Sequence, residues 1–303
     1  RGVRCHADQV IIVAGAKQGL EITASLLLNP GDVVWMENPG YLRARAVLAA
    51  WQASIVDVPV DGEGLSVTAG EALAPDARLV YLTPSHQYPL GVTMSLARRL
   101  AVLAWASRGA WVVEDDYDSE FCYNARPLAS LQGLDTAGRV IYLGTFSKVL
   151  FPGLRLGYVI VPPDLVDLFT AARAMAGVHA SLLEQAALAD FIIDGHFARH
   201  IRRMRDLYAE RQATLVGAVR RDLGSILTVA PADVGMHLVG WFADGVDDRA
   251  MAKRAAAQGV DTPPLSRYAH GGLDRAGVLL GYSHIDAVTI RSGAERLARA
   301  WAG

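Results

Sequence analysis

Short runs rich in Val, Ile and Leu recur along the first half of the chain, at residues 10–13, 33–36, 79–82, 111–113, 140–143 and 157–161. Each has the length of a buried strand. Between them lie segments such as 18–28 and 95–108, whose apolar spacing suits helices, and Asn29-Pro30-Gly31-Asp32 supplies a stop after the first. Strands separated by helices leave few topologies, and the pattern predicts an α/β fold with a mainly parallel sheet covered on both faces. With 303 residues the chain can bury one large domain plus a smaller one.

After Pro162-Pro163 the pattern changes to long helices, apolar over 186–193 and rich in Arg, His and Tyr over 196–211. From about Leu227, strand candidates at 236–242 and 278–282 surround a helix candidate at 249–258, enough for a small α+β lobe. The expected organisation is a large domain over residues 1–165, a helical connector over 166–226 and a small C-terminal domain over 227–303. His196, His200 and the basic residues through Arg211 are expected to form a solvated face of the connector.

Composition narrows the function classes. Apolar residues make up 52% and charged residues 20% of the chain, too much core-forming material for disorder. A formal charge of −2 provides no basic surplus to mark the chain itself as a nucleic-acid binder. Cys5 and Cys122 stand far apart without the companions of a zinc site or a disulfide framework, so no metal is expected and a cytoplasmic location fits. The longest apolar stretches fall well short of the roughly 18 residues that a membrane span requires. The sequence opens on Arg1-Gly2-Val3-Arg4 without an initiator Met and reads as a piece of a longer protein.

In parallel sheets, ligand groups collect where strands end. The strand at 111–113 runs into Glu114-Asp115-Asp116-Tyr117-Asp118, and the strand at 140–143 into Gly144-Thr145-Phe146-Ser147-Lys148, so one offers carboxylates and the other an amine. Gly15-Ala16-Lys17-Gln18 lies between a strand and a helix, where free amides suit a phosphate. The first of these segments, extended to Phe121, together with Thr145–Lys148 and Pro152-Gly153-Leu154-Arg155-Leu156-Gly157-Tyr158, resembles fold-type I PLP-dependent transferases. With Pro84-Ser85-His86-Gln87-Tyr88-Pro89 and the segment from Gly195 to Arg205, the resemblance narrows to the effector domain of MocR-type regulators in the GntR family. It covers nearly the whole chain.

The resemblance implies pyridoxal 5′-phosphate (PLP) as cofactor and assigns roles. Lys148 forms the Schiff base, a task for an amine able to shed its proton. Asp115 faces the pyridine nitrogen, with Asp116 as its competitor, and Tyr117 meets the cofactor's phenolic oxygen. Ala16 and Lys17 belong to the phosphate cup, with Thr145, Ser147 and Arg155 as further candidates; Lys17 stands where the family often has Gln. Tyr41 stacks on the pyridine ring. Arg267 grips a ligand carboxylate. Arg43 is a second anion-binding candidate or a surface arginine.

His86-Gln87-Tyr88 replaces the Asn-containing loop common in working aminotransferases. The expected function is therefore an effector-sensing domain that binds an amino acid or amine as an external aldimine. A homodimer is expected, and DNA is reached only through a region outside this sequence. The rival is an active aminotransferase built from the same parts. A cofactor-free descendant of the fold is disfavoured because Lys148 and Asp115 are both present.

Overall fold

The structure, a computed structural model, describes residues 2–123, 128–176 and 180–302. Its centre is an eight-stranded sheet of order β1-β8-β7-β6-β5-β2-β3-β4. The strands are β1 (Val10–Val13), β2 (Val33–Asn38), β3 (Ser54–Asp61), β4 (Gly64–Leu65), β5 (Leu79–Leu82), β6 (Trp111–Asp116), β7 (Val140–Thr145) and β8 (Gly157–Ile160). The run β7-β6-β5-β2-β3 is parallel throughout, as the alternation predicts. Strand β8 is antiparallel to both β7 and β1. Too few residues separate it from β7 for the crossover that a parallel neighbour needs.

Every central strand is buried on both faces, which explains why the runs read as almost unbroken apolar stretches. Successive residues belong to different layers. Val34, Met36, Leu79, Tyr81, Val113, Ile141 and Leu143 pack with Leu20, Ile22, Leu27 and Val47 of helices α1 (Ala16–Leu27) and α2 (Leu42–Ala50). Trp35, Val80, Leu82, Val112 and Val140 pack on the other face, with Val67 of α3 (Val67–Leu73), Val102 and Trp105 of α4 (Leu96–Ala106), and Leu131 of α5 (Leu131–Leu134). Ser95 caps α4 by accepting the Arg98 amide proton at 3.2 Å.

Strand β3 was not anticipated. Asp57 and Pro59 break its apolar pattern, and only the short β4 lies beyond it, a near-edge position where proline is tolerated. Helix α6 (Val166–Met175) follows the double proline yet buries Phe169 in the α1 layer of the sheet core. Helix α7 (Leu182–Ile193) leads into the long α8 (His196–Asp222), which packs on α10 (Ala287–Trp301). A second sheet, β11 (Gly277–Gly281), β10 (His237–Phe242) and β9 (Leu227–Val229), is antiparallel and shares its core with α8, α10 and α9 (Asp248–Ala257).

The basic face of α8 departs in part from expectation. His196, Arg199, Arg202 and Arg203 are exposed. Other members turn inward to backbone carbonyls: His200 meets Val149 O at 2.8 Å, Arg205 Nε donates to Glu120 O at 2.5 Å, and Arg211 donates to Ser283 O at 2.5 Å. These donors staple the connector to both lobes, because a carbonyl withdrawn from water requires a donor.

Candidate functional site

The carboxyl ends of β5, β6 and β7 open on a cavity of about 630 Å³, closed on one side by α1 and α2 and on another by the loop at 265–268 of the small lobe. Ala16, Lys17, Tyr41, Arg43, Asp115, Tyr117, Thr145, Ser147, Lys148, Arg155 and Arg267 all line it. The structure thus brings the residues given cofactor or ligand roles from the sequence to one place, and leaves out the competitor Asp116.

Strand parity decides which carboxylate faces this cavity. In β6, Trp111 and Val113 belong to the α1 face and Val112 to the other; Asp115 continues the first series, Glu114 and Asp116 the second. Asp115 Oδ2 accepts the Tyr81 hydroxyl proton at 2.5 Å, while Oδ1 is buried with no partner. Asp116 accepts instead from Tyr142 at 2.5 Å and Ser119 at 2.7 Å, and does not line the cavity. Glu114 accepts the amides of Leu131 and Gln132 at 3.0 and 2.9 Å. Burial pushes the Asp115 carboxyl up to about 6; the Tyr81 hydrogen bond and the nearby Lys148 charge oppose this, and Asp116 adds to it.

At the opposite end, β1 leads through Ala14 and Gly15 into α1. Gly15 adopts φ +103°, a conformation open to glycine, and a Cβ on Gly157 of β8 would lie 2.9 Å from the Gly15 backbone. This close approach lets the helix start beside the end of β7. No side chain caps α1, so the first-turn amides of Ala16 and Lys17 are left for a ligand. The Lys17 ammonium pairs with exposed Glu21, so only the backbone of Lys17 is oriented toward anion binding. Thr145 ends β7, its hydroxyl accepting the Ser147 amide at 3.1 Å. Arg155 follows a 3-10 turn at φ +52°, a left-handed backbone uncommon for a residue with a Cβ.

Among the described residues, none of Arg43, Lys148, Arg155 or Arg267 forms a salt bridge. Asp115 is the only carboxylate among the lining residues. A concave site with several uncompensated cations and a single buried acid is built for an anionic ligand that also carries a positive group. Tyr41, Tyr88 and Tyr268 form an aromatic wall: Tyr88 meets Tyr41 edge-on at 5.5 Å and Tyr268 at 5.3 Å, and its hydroxyl donates to that of Tyr268 at 3.1 Å. The Tyr117 hydroxyl donates to His86 O at 2.9 Å.

Tyr81, Thr83 and Tyr268 also line the cavity and were not singled out from the sequence. Tyr81 sits in a fully apolar strand run where nothing local distinguishes it from a core residue. Tyr268 adjoins Arg267, and that adjacency was the available signal.

The arrangement fits PLP on this chain's own geometry: an orphaned buried carboxylate oxygen for a protonated pyridine nitrogen, free helix amides and Arg155 for a phosphate, and an amine at Lys148. The chain matches the aminotransferase class I and II family over residues 2–257. It is 46% identical to the probable rhizopine catabolism regulatory protein MocR of Rhizobium meliloti over 99% of this chain and 61% of that protein. It is 36% identical to the HTH-type transcriptional regulator TauR of Rhodobacter capsulatus over 99% of this chain and 62% of that protein. The chain therefore spans about three fifths of the length of these regulators. Among solved structures, LysN, an α-aminoadipate aminotransferase of Thermus thermophilus complexed with N-(5′-phosphopyridoxyl)-L-leucine, superposes with a TM-score of 0.89 at 29% identity, covering 98% of this chain and 77% of that one. A family match over most of the chain, a fold shared with solved aminotransferases and strong similarity to regulators place this chain in the aminotransferase class I and II family, on the side of the MocR-type regulators.

Proposed function

We propose that the cavity holds PLP and then an amino acid or amine, and that this binding is the input of a transcriptional regulator. The observation that carries the reading is the 46% identity to a regulator across almost the whole chain, against 30% to a 2-aminoadipate transaminase of Thermus thermophilus. In this reading Lys148 holds the cofactor covalently, Asp115 Oδ1 faces the pyridine nitrogen and Tyr41 covers the ring. Tyr117 serves the phenolic oxygen. The amides of Ala16 and Lys17, with Thr145, Ser147 and Arg155, hold the phosphate. Arg267 binds the ligand carboxylate, and Arg43 receives a second anionic group where the ligand has one. When bound, PLP supplies an electron sink for the carbon bearing the ligand's amine.

The same reading assigns the large PLP-binding domain to residues 1–165, the helical connector to 166–226 and the small C-terminal domain to 227–303. Among the described residues no helix is long and apolar enough to cross a membrane, and a cytoplasmic location follows from the regulatory role. DNA is contacted by a region outside this chain, in keeping with the HTH-type description of the relatives. A second copy covers Met175 of α6 and Leu182, Leu183 and Ile193 of α7, apolar side chains 74–88% exposed in the single chain.

The competing reading, an aminotransferase, is favoured by the joint presence of Lys148, Asp115 and Arg267 in one cavity. A coupled steady-state assay across common amino acids and 2-oxo acids, with PLP saturating, decides between them. The regulator reading expects a ligand-dependent change in the PLP spectrum with poor turnover; on the order of 1 per second or faster supports the enzyme instead.

A further inference from the structure

Beneath Tyr117 lies a buried polar cluster that the cofactor-holding residues do not include. His86 stands on the loop after β5 and Asp118 just beyond β6, each about 1% exposed. His86 Nδ1 lies 2.9 Å from Asp118 Oδ2 and 3.0 Å from the Tyr117 hydroxyl, whose own proton goes to His86 O.

Because a carboxylate only accepts, its contact places the imidazole proton on Nδ1. His86 Nε2 is correspondingly buried without a partner. The ring is walled by glycines from both lobes: a Cβ on Gly235 would fall 2.0 Å from Cε1, and one on Gly91 would fall 3.2 Å from Nε2. His237 of β10 packs on it at 4.7 Å between centroids, with its own Nε2 at 3.1 Å from Pro89 O. Burial pushes His237 down to about 3, so this neighbour is uncharged. The Tyr88 ring borders both Tyr117 and His237.

We infer that His86 is a positioning residue: its single Nδ1–H, shared between Asp118 Oδ2 and the Tyr117 hydroxyl oxygen, orients and polarises this phenol as a donor to an anionic oxygen entering the cavity. The inference rests on the proposed PLP site. A hydroxyl that receives a hydrogen bond gives a stronger one in turn, and Asp118 sets how much of the Nδ1–H reaches the phenol by competing for the same proton. Until an acceptor arrives, the phenol proton rests on His86 O, from which it can rotate toward the cavity without breaking the bond from Nδ1. Burial holds Tyr117 in its protonated form, the form that can donate.

The test uses the PLP-loaded chain and reads the visible spectrum and its pH titration midpoint. Tyr117→Phe and His86→Phe are expected to move the midpoint in the same direction by on the order of one pH unit, and the double variant no further than either. His86→Asn, whose amide can replace the Nδ1 donor, returns the midpoint to near the wild-type value. An unmoved midpoint in His86→Phe beside a moved one in Tyr117→Phe, or additive shifts in the double variant, overturns the inference. If His86→Phe does not fold, Asp118→Asn takes its place: a weaker acceptor leaves more of the Nδ1–H to Tyr117, so a smaller shift opposite to that of Tyr117→Phe is expected, and no shift or one in the same direction overturns the inference. In the cofactor-free chain, nitrogen NMR of labelled histidine is expected to find His86 protonated on Nδ1, and a proton on Nε2 overturns the inference without reference to PLP. A wild-type chain that takes up no PLP while showing the Nδ1 proton sinks the cofactor reading instead, and with it this role.

Discussion

Asp115→Asn separates the cost of the orphaned carboxylate from its use. In the cofactor-free chain the Asp115 carboxyl is raised from 3.8 to about 6. Between those values the folded chain holds a proton that the unfolded chain has released, so stability falls as pH rises through the window, and above about 6 the whole cost remains. Two pH units correspond to about 3 kcal/mol. Asparagine cannot ionise, and the stronger hydrogen bond that Tyr81 gives the charged carboxylate is already contained in that shift, since Tyr81 is one of the groups that hold it down. The net expectation is a cofactor-free Asp115→Asn chain more stable by about 3 kcal/mol near pH 8, melting several degrees higher. That advantage disappears near pH 4, where both chains are neutral at this position. The same substitution leaves the pyridine nitrogen's charge unanswered in a buried site, at about 3 kcal/mol or roughly a hundredfold in PLP affinity. Thermal unfolding at the two pH values and a PLP titration measure both effects. Asp116→Asn should do neither, since its oxygens are held by Tyr142 and Ser119. A less stable cofactor-free Asp115→Asn chain near pH 8, or an equal loss of PLP affinity in Asp116→Asn, refutes the assignment.

Lys148→Ala should lose the visible band of the PLP-loaded chain, and a borohydride-fixed adduct retained in that variant would place the linkage elsewhere. Arg155→Gly relieves a left-handed backbone costing about 1–2 kcal/mol, so its melting temperature should equal or exceed that of the wild type while PLP binds more weakly; unchanged PLP affinity would remove Arg155 from the phosphate site. Arg99→Met should destabilise the fold by roughly 3–5 kcal/mol in denaturant unfolding, because Arg99 is buried, donates to the carbonyls of Met94, Pro84 and Ala129 and lies 3.8 Å from buried Glu114. Arg43→Ala should weaken ligand binding without lowering the melting temperature, since no hydrogen bond within the described residues depends on its side chain.

The sequence by itself determined the architecture and the cast of the site. Apolar runs buried on both faces, separated by helical spacing and turn residues, admit little besides a covered parallel sheet, and the acidic and Lys148-bearing segments after two of those runs name their chemistry. Local pattern could not disclose β3, whose Asp57 and Pro59 are tolerated because of its place near the sheet edge. Nor could it reveal the antiparallel setting of β8, or the inward turn of His200, Arg205 and Arg211, whose partners are backbone carbonyls far along the chain. Asp115 and Asp116 are adjacent and chemically alike. Alternation along a strand dictates that they face opposite ways, but which face meets the cavity depends on where α1, α2 and the small-lobe loop pack. The same holds for His86, Tyr117 and Asp118, which come from separate strand ends and acquire a shared proton arrangement only when β5 and β6 pair. Strand periodicity is a local property that a sequence carries openly, whereas hydrogen bonds between distant loops exist only once the tertiary contacts that close them have formed.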